Sequence, residues 1–174
     1  AREVEVSGLG PAETRVRAIS LQGLIYHERL RQPERALEEY LRAIRVDPRF
    51  AVAHINFGIL LSEVGRRDEA EASYREALRL DPRYALAHYN LGGLLQTLNR
   101  HEEAAASLRT ALRINPRLAG AHYNLGLALS DLGRRDEAAE SYREALRLAP
   151  RDADAHYNLA RLLETSGRRP EALD

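Results

Sequence analysis

Between Ala70 and Leu80 the apolar residues Ala70, Tyr74, Ala77, Leu78 and Leu80 stand at steps of 4, 3, 1 and 2, a helical stripe rather than the alternation of a strand. Ala87, Leu91, Leu94, Leu95 and Leu98 make a second stripe of the same kind. Pro48, Pro82, Pro116 and Pro150 each follow the end of a stripe such as A-L-R-L. Proline cannot continue a helix, so each marks a helix end. Midway between them fall Gly65, Asn99, Gly133 and Gly167, residue types that tolerate the left-handed conformation of a helix C-cap. The predicted unit is helix, tight turn, helix, tight turn.

That unit recurs. Laying Gly65 to Tyr84 on Gly133 to Asp152, an offset of 68, gives identity at 16 of 20 positions, and the half offset of 34 aligns His54, His88, His122 and His156. The period is therefore 34 residues. Small residues such as Gly92 and Ala104 leave room for a neighbouring helix to approach closely. Pairs such as Glu71 with Arg75 and Glu38 with Arg42 lie on the solvent face at i,i+4 spacing, each stabilising by only about 0.2–0.5 kcal/mol.

Composition narrows the function classes. The 26 basic and 26 acidic residues of this 174-residue chain cancel, which removes the electrostatic argument for nucleic acid or an anionic membrane as partner. No apolar run approaches the roughly 18 residues a membrane span needs. Cysteine is absent, so disulfide and thiolate chemistry are excluded. Every basic residue is arginine. Nothing near Ala1 resembles a signal peptide, and a cytoplasmic location is the expectation.

A-H-Y-N-L occurs three times, at Ala87–Leu91, Ala121–Leu125 and Ala155–Leu159, with A-H-I-N-F at Ala53–Phe57. Zinc requires ligands converging within about 2.0–2.3 Å of one point, and histidines one whole unit apart in a stack cannot converge. The histidines are read as structural, packed between the two helices of their unit with the polar edge hydrogen-bonded. His27 and His101 are isolated and read the same way. Ser62, Ser73, Ser107, Ser130 and Ser141 lack a glycine elbow or acid-base partner, and no phosphate loop or calcium-binding spacing occurs. The chain is read as no enzyme, with no metal and no cofactor.

A 34-residue helix-turn-helix unit with Leu91 and Gly92 in its first helix, Ala104 and Ala111 in its second and Pro116 at its close resembles the tetratricopeptide repeat. The resemblance implies an all-α fold, a right-handed α-solenoid of antiparallel helix pairs. Repeats are expected at about 17–50, 51–84, 85–118, 119–152 and a truncated 153–174, within a repeat domain 12–174 that follows a linker or flexible tail 1–11. Two departures stand out. The family's bulky fourth position holds His54, His88, His122 and His156. The first repeat fits only if one extra residue precedes Ala36, expected in the turn at 31–33, which moves its start to 16.

The resemblance also implies that the first helices line a concave surface through the second, fifth, sixth, ninth, twelfth and thirteenth positions of the unit. The sixth is Asn56, Asn90, Asn124 and Asn158. An asparagine side chain can pair with both the N–H and the C=O of an extended peptide without reading its sequence. At about 0.5–1.5 kcal/mol per hydrogen bond the ladder needs further contact area, which Tyr89, Tyr123 and Tyr157 at the fifth position supply. The ladder is similar to the repeat region of O-linked N-acetylglucosamine transferases. It does not resemble the carboxylate-clamp subclass, because the second position holds Val52, Leu86, Gly120 and Asp154 and the only basic residue at the ninth is Arg161.

Three functions follow. The first is a protein-interaction scaffold whose concave groove takes an extended peptide or a partner helix. The second is the substrate-recognition arm of a larger enzyme such as a glycosyltransferase. The third is a homo-oligomeric assembly module that stacks end to end through Leu159, Leu162 and Leu163, expected to be exposed on a terminal helix. The partner is a protein or peptide, with no nucleic acid and no membrane. The expected groove residues are Asn56, Asn90, Asn124, Asn158, Tyr89, Tyr123, Tyr157 and Arg161.

Overall fold

A computed structural model describes residues 10–165 of the chain. Among these the regular elements are all helical: α1 (Pro11–Leu24), α2 (Pro33–Val46), α3 (Ala51–Glu63), α4 (Arg67–Leu80), α5 (Ala85–Thr97), α6 (His101–Ile114), α7 (Ala119–Asp131), α8 (Arg135–Leu148) and α9 (Ala153–Thr165). The chain divides into two compact units, the first running to Pro82 and the second starting at Arg83. In the first, α1 pairs with α2 and α3 with α4, and α2 stacks on α3. In the second, α5 pairs with α6 and α7 with α8, while α6 stacks on α7 and α8 on α9.

Small residues set the spacing of these pairs. Ala53, Ala87, Ala121 and Ala155 in the first helices and Ala36, Ala70, Ala104 and Ala138 in the second are all 0% exposed. Where two helices of a pair cross most closely, the first helix carries glycine. A Cβ on Gly58 would lie 2.7 Å from Tyr74 Cε1, and one on Gly92 would lie 2.6 Å from Leu108 Cγ. The large side chain of the second helix therefore occupies the place of the missing one, and a methyl group there would force the pair apart.

The expected turns form for local reasons. Gly65, Asn99 and Gly133 adopt φ of 82°, 57° and 73°, while Gly167 lies outside the described residues. Each closes its helix with a bond reaching five residues back, as in Arg66 N–H to the Leu61 carbonyl at 2.8 Å. The second helices stop at Val46, Leu80, Ile114 and Leu148, two residues short of each proline. Asp47 Oδ1 and Asn115 Oδ1 accept from the N–H groups of Arg49 and Arg117, closing the turn around Pro48 and Pro116 from the side.

The first repeat departs from this plan, and not where expected. Its extra residue is absorbed in a π-helical turn, Ile25–Arg29, ahead of the loop at 31–33. Gln32 N–H consequently reaches six residues back, to the Tyr26 carbonyl at 2.9 Å, and Arg31 takes the positive φ of 51° that glycine or asparagine takes elsewhere. Widening one helical turn costs little backbone bonding, because a π turn keeps its carbonyls occupied. Gly23 keeps its register: a Cβ there would lie 2.7 Å from Tyr40 Cε1, the same crossing as Gly58 with Tyr74.

The terminal leucines correct another expectation. Leu159, Leu162 and Leu163 are buried, at 7%, 7% and 8% exposure, rather than displayed on α9. The expected second helix of the last repeat lies outside the described residues, as do residues 1–9 of the expected tail 1–11, whose last residue, Pro11, instead opens α1. The surface pairing also differs in part: Glu71 meets Arg75 at 2.7 Å, but Arg42 meets Glu39 and not Glu38. A recurrent pair went unread, in which Arg66, Arg100 and Arg134 each fork onto the glutamate three residues on, Glu69, Glu103 and Glu137, at the start of α4, α6 and α8. Such a fork sits where the helix dipole favours a carboxylate, and Arg66 holds the Glu69 carboxyl below its ordinary range.

Candidate functional site

Each A-H-x-N motif occupies the first turns of a first helix, and its residues part to different sides. The alanine is buried in every copy, and so are Leu91, Leu125 and Leu159. The histidines are less buried than expected: His54, His88 and His122 are half-buried and His156 is exposed. Three of them act on the turn behind them. His54, His122 and His156 donate from Nε2 to the carbonyls of Pro48, Pro116 and Pro150 at 2.9, 3.0 and 3.0 Å. A carbonyl can only accept, so the Nε2–H tautomer is assigned. The motif histidine is thus a latch on the turn between repeats, not a wedge between the helices of one repeat. Among the described residues no cluster of three or more histidine or acidic side chains is placed to hold a metal.

The first helices lie side by side within each unit, α1 with α3 and α5 with α7. This brings the expected groove residues of the second unit into one strip. Tyr123 on α7 and Asn158 on α9 meet directly, Asn158 Nδ2 donating to Tyr123 Oη at 3.1 Å and to the Asp154 carbonyl at 3.0 Å. Tyr89 reaches the next first helix as well, its hydroxyl 2.9 Å from where a Cβ on Gly120 would stand. Asn124 approaches Gly93, whose Cβ would lie 3.5 Å from Nδ2. Tyr157 is 66% exposed, with the Arg161 guanidinium 5.9 Å from its ring centroid. Asn56 lies in the first unit, half-buried on α3 beside Ile55 and Ile59. Among the described residues the side chains of Asn56, Asn90 and Asn124 have no protein hydrogen-bond partner.

Two histidines read as isolated are not. His27, 7% exposed in the π-helical turn, is held at 2.7 Å from Glu63 on α3. His101 Nδ1 donates to Gln96 Oε1 at 3.1 Å, while Gln96 Nε2 donates to Asp131 on α7. Both links join the twelfth position of one first helix to the thirteenth of the next. The signal was present in the spacing: 96 and 131 are 35 apart, as are 123 and 158, one period plus one residue.

The second helices carry buried phenols, Tyr40 and Tyr74 in the first unit and Tyr142 in the second. The Tyr40 and Tyr142 hydroxyls are buried without a partner among the described residues. Burial, then the carboxylates of Glu28 and Glu63, push Tyr40 up to about 12. Burial foremost raises Tyr74 and Tyr142 further, with Glu63 adding for Tyr74 and Tyr123 and Asp131 adding for Tyr142 against the opposing Arg161. Tyr123 itself is raised by burial, then by Asp154 and Asp152.

Stacked helix pairs of one length, crossing at a glycine and separated by proline turns, define a helical repeat protein of the α-solenoid class. Models of the tetratricopeptide repeat match residues 16–50, 55–119 and 123–174, and the chain belongs to the tetratricopeptide repeat family. No curated protein matches it closely enough in sequence to serve as a relative. Among solved structures, pilF of Pseudomonas aeruginosa is similar at a TM-score of 0.83 and 28% identity, covering 91% of this chain and 72% of that one. YrrB, described as a repeat protein with an unusual peptide-binding site, is similar at TM-score 0.76 and 23% identity, covering 94% and 88%. The first repeat domain of Spaghetti (RPAP3), bound to the HSP90 peptide SRMEEVD, is similar at TM-score 0.66 and 22% identity, covering 67% and 93%. At those identities the last two share the fold alone. Repeats of this family are typically non-catalytic scaffolds, and no described helix is long and apolar enough to cross a membrane.

Proposed function

We propose that the chain is a non-catalytic interaction module whose first-helix face holds an extended peptide through its backbone. The observation that carries this is the asparagine series of the second unit: Asn90 and Asn124 are half-buried with amides that have no protein partner among the described residues, and Asn56 repeats the feature within the first unit. Amides open to solvent and free of protein partners can exchange water for an extended backbone, which offers both a donor and an acceptor to each. Tyr89, Tyr123 and Tyr157 flank the series with broad amphipathic surface, and Arg161 supplies a single cation. The peptide-binding site of YrrB and the HSP90 peptide bound to the Spaghetti domain make the class of ligand a natural one for this fold.

The test is Asn90→Ala combined with Asn124→Ala, measured against a pool of short random peptides, blocked at both ends, enriched on the wild-type chain. The double variant is expected to lose about 1–3 kcal/mol of binding, from two hydrogen bonds, with its helical circular dichroism intact. Unchanged binding would sink the ladder. A second role, the recognition arm of a larger enzyme, is favoured by the ladder's likeness to the repeats of O-linked N-acetylglucosamine transferases. A catalytic domain encoded beyond Asp174 would support it, and a stop codon there would end it.

A further inference from the structure

In the second unit the side chain of Tyr142 crosses α7 at Gly126, where a Cβ would come within 2.6 Å of Cε1, 2.7 Å of Cδ1 and 3.0 Å of Cζ. The missing side chain leaves the phenol ring its place against the α7 backbone. Its surroundings there identify the place. The Tyr123 ring stands with its centroid 5.9 Å away, tilted by 50°. The charged groups acting on the hydroxyl are Arg161 and Asp131, ninth and thirteenth positions of α9 and α7. The residue is 1% exposed, and its hydroxyl has no partner among the described residues. The third repeat shows that a hydroxyl is not needed for this crossing, since Leu108 fills the same place over Gly92.

Above this donor the strip is already closed by a contact within the chain. Tyr123 Oη accepts from Asn158 Nδ2 at 3.1 Å, using the amide donor that a peptide carbonyl would otherwise use. We propose that the Tyr142 hydroxyl is a ligand donor on the floor of the second unit's groove, uncovered when a peptide carbonyl displaces the Tyr123 hydroxyl from Asn158. The proposal rests on the peptide-binding function above. An acceptor oxygen is the fitting partner because phenol and amide both donate, Arg161 adds positive charge nearby, and Asp131 is already met by Gln96. Tyr40 in the first unit is no equivalent, since Glu28 and Glu63 surround its hydroxyl with negative charge.

The deciding experiment compares Tyr142→Phe, Tyr123→Phe and wild-type full-length chain for binding the enriched pool of end-blocked peptides, with thermal unfolding of each. Tyr142→Phe keeps the ring over Gly126 and removes only the oxygen. It is expected to weaken binding about three- to tenfold with an unchanged or higher unfolding midpoint, as for one lost hydrogen bond. Tyr123→Phe releases the Asn158 amide and is expected to tighten binding. Equal binding by Tyr142→Phe overturns the floor donor while leaving the asparagine ladder standing. Weaker binding by Tyr123→Phe overturns the displacement. If the wild-type chain enriches no peptide, the groove function fails and this inference falls with it.

Discussion

The two units share one skeleton and present different faces. In both, alanines and a glycine hold each helix pair at the same spacing, and a tyrosine crosses the first helix, Tyr40 over Gly23 in one and Tyr142 over Gly126 in the other. The face above differs. In the first unit the sixth and ninth positions of α1 are Leu21 and Leu24, 57% and 37% exposed, and the fifth position of α3 is the buried Ile55. The sixth position of α3 is Asn56, whereas in the second unit every first helix holds tyrosine and asparagine together at the fifth and sixth positions, Tyr89–Asn90, Tyr123–Asn124 and Tyr157–Asn158. The difference teaches that stacking constrains a few small residues between helices, while the first-helix face carries chemistry almost independently. Repeats tolerate this because each packs only on its neighbours.

The largest expected effect tests whether the buried phenols behave alike in the two units. A folded-state pKa raised above the ordinary value near 10 means that stability is full below about pH 10 and is lost as pH climbs through the folded value. For Tyr40, pushed up to about 12, that loss approaches about 2–3 kcal/mol. Phenolate absorbance and circular dichroism should change together between about pH 10 and 12. Tyr40→Phe and Tyr142→Phe should each flatten part of the decline. Ionisation of Tyr40 or Tyr142 near pH 10 in the folded chain, read as the absorbance difference between wild type and the matching phenylalanine variant, would break the comparison.

The next effect concerns the crossings. Gly58→Ala and Gly126→Ala are expected to cost about 1–3 kcal/mol of overpacking, partly offset by alanine's better helix propensity. Gly120→Ala, which meets only the far end of Tyr89 at 2.9 Å, should be neutral or stabilising. Urea midpoints for the three variants check this, and equal losses at all three would show that the crossing glycines are not special.

The smallest effect separates a latch from a wedge. His54→Ala in the first unit and His122→Ala in the second each remove one bond to a proline carbonyl, expected to cost about 0.5–1.5 kcal/mol. A loss of about 2–5 kcal/mol in thermal unfolding would instead indicate the cavity left by a core side chain.

Much of the fold was legible because its determinants are local. Pro82 ends α4 and Gly65 caps α3 whatever surrounds them, and a 34-residue period forces every unit into the same register. The extra residue before Ala36 was also legible, as a count. Its location was not, because Ile25–Arg29 reads as ordinary helix and only the fixed crossing of Gly23 with Tyr40 makes the widening fall there rather than at 31–33. Arg31 at positive φ follows from that turn and carries no signature of its own.

The candidate face divides along the same line. Composition and spacing by themselves determined that the chain is a stack of helix pairs, which residues recur on the first helices, and that the histidines cannot converge on a metal. Only tertiary structure decided that His27 meets Glu63, that Tyr123 already occupies the Asn158 amide, that Leu159, Leu162 and Leu163 are buried, and that the buried Tyr142 ring stands 5.9 Å from that of Tyr123. The first two contacts join residues about one period apart. Their existence depends on how closely neighbouring helices approach, a distance set by alanine and glycine packing rather than by any residue that makes the contact.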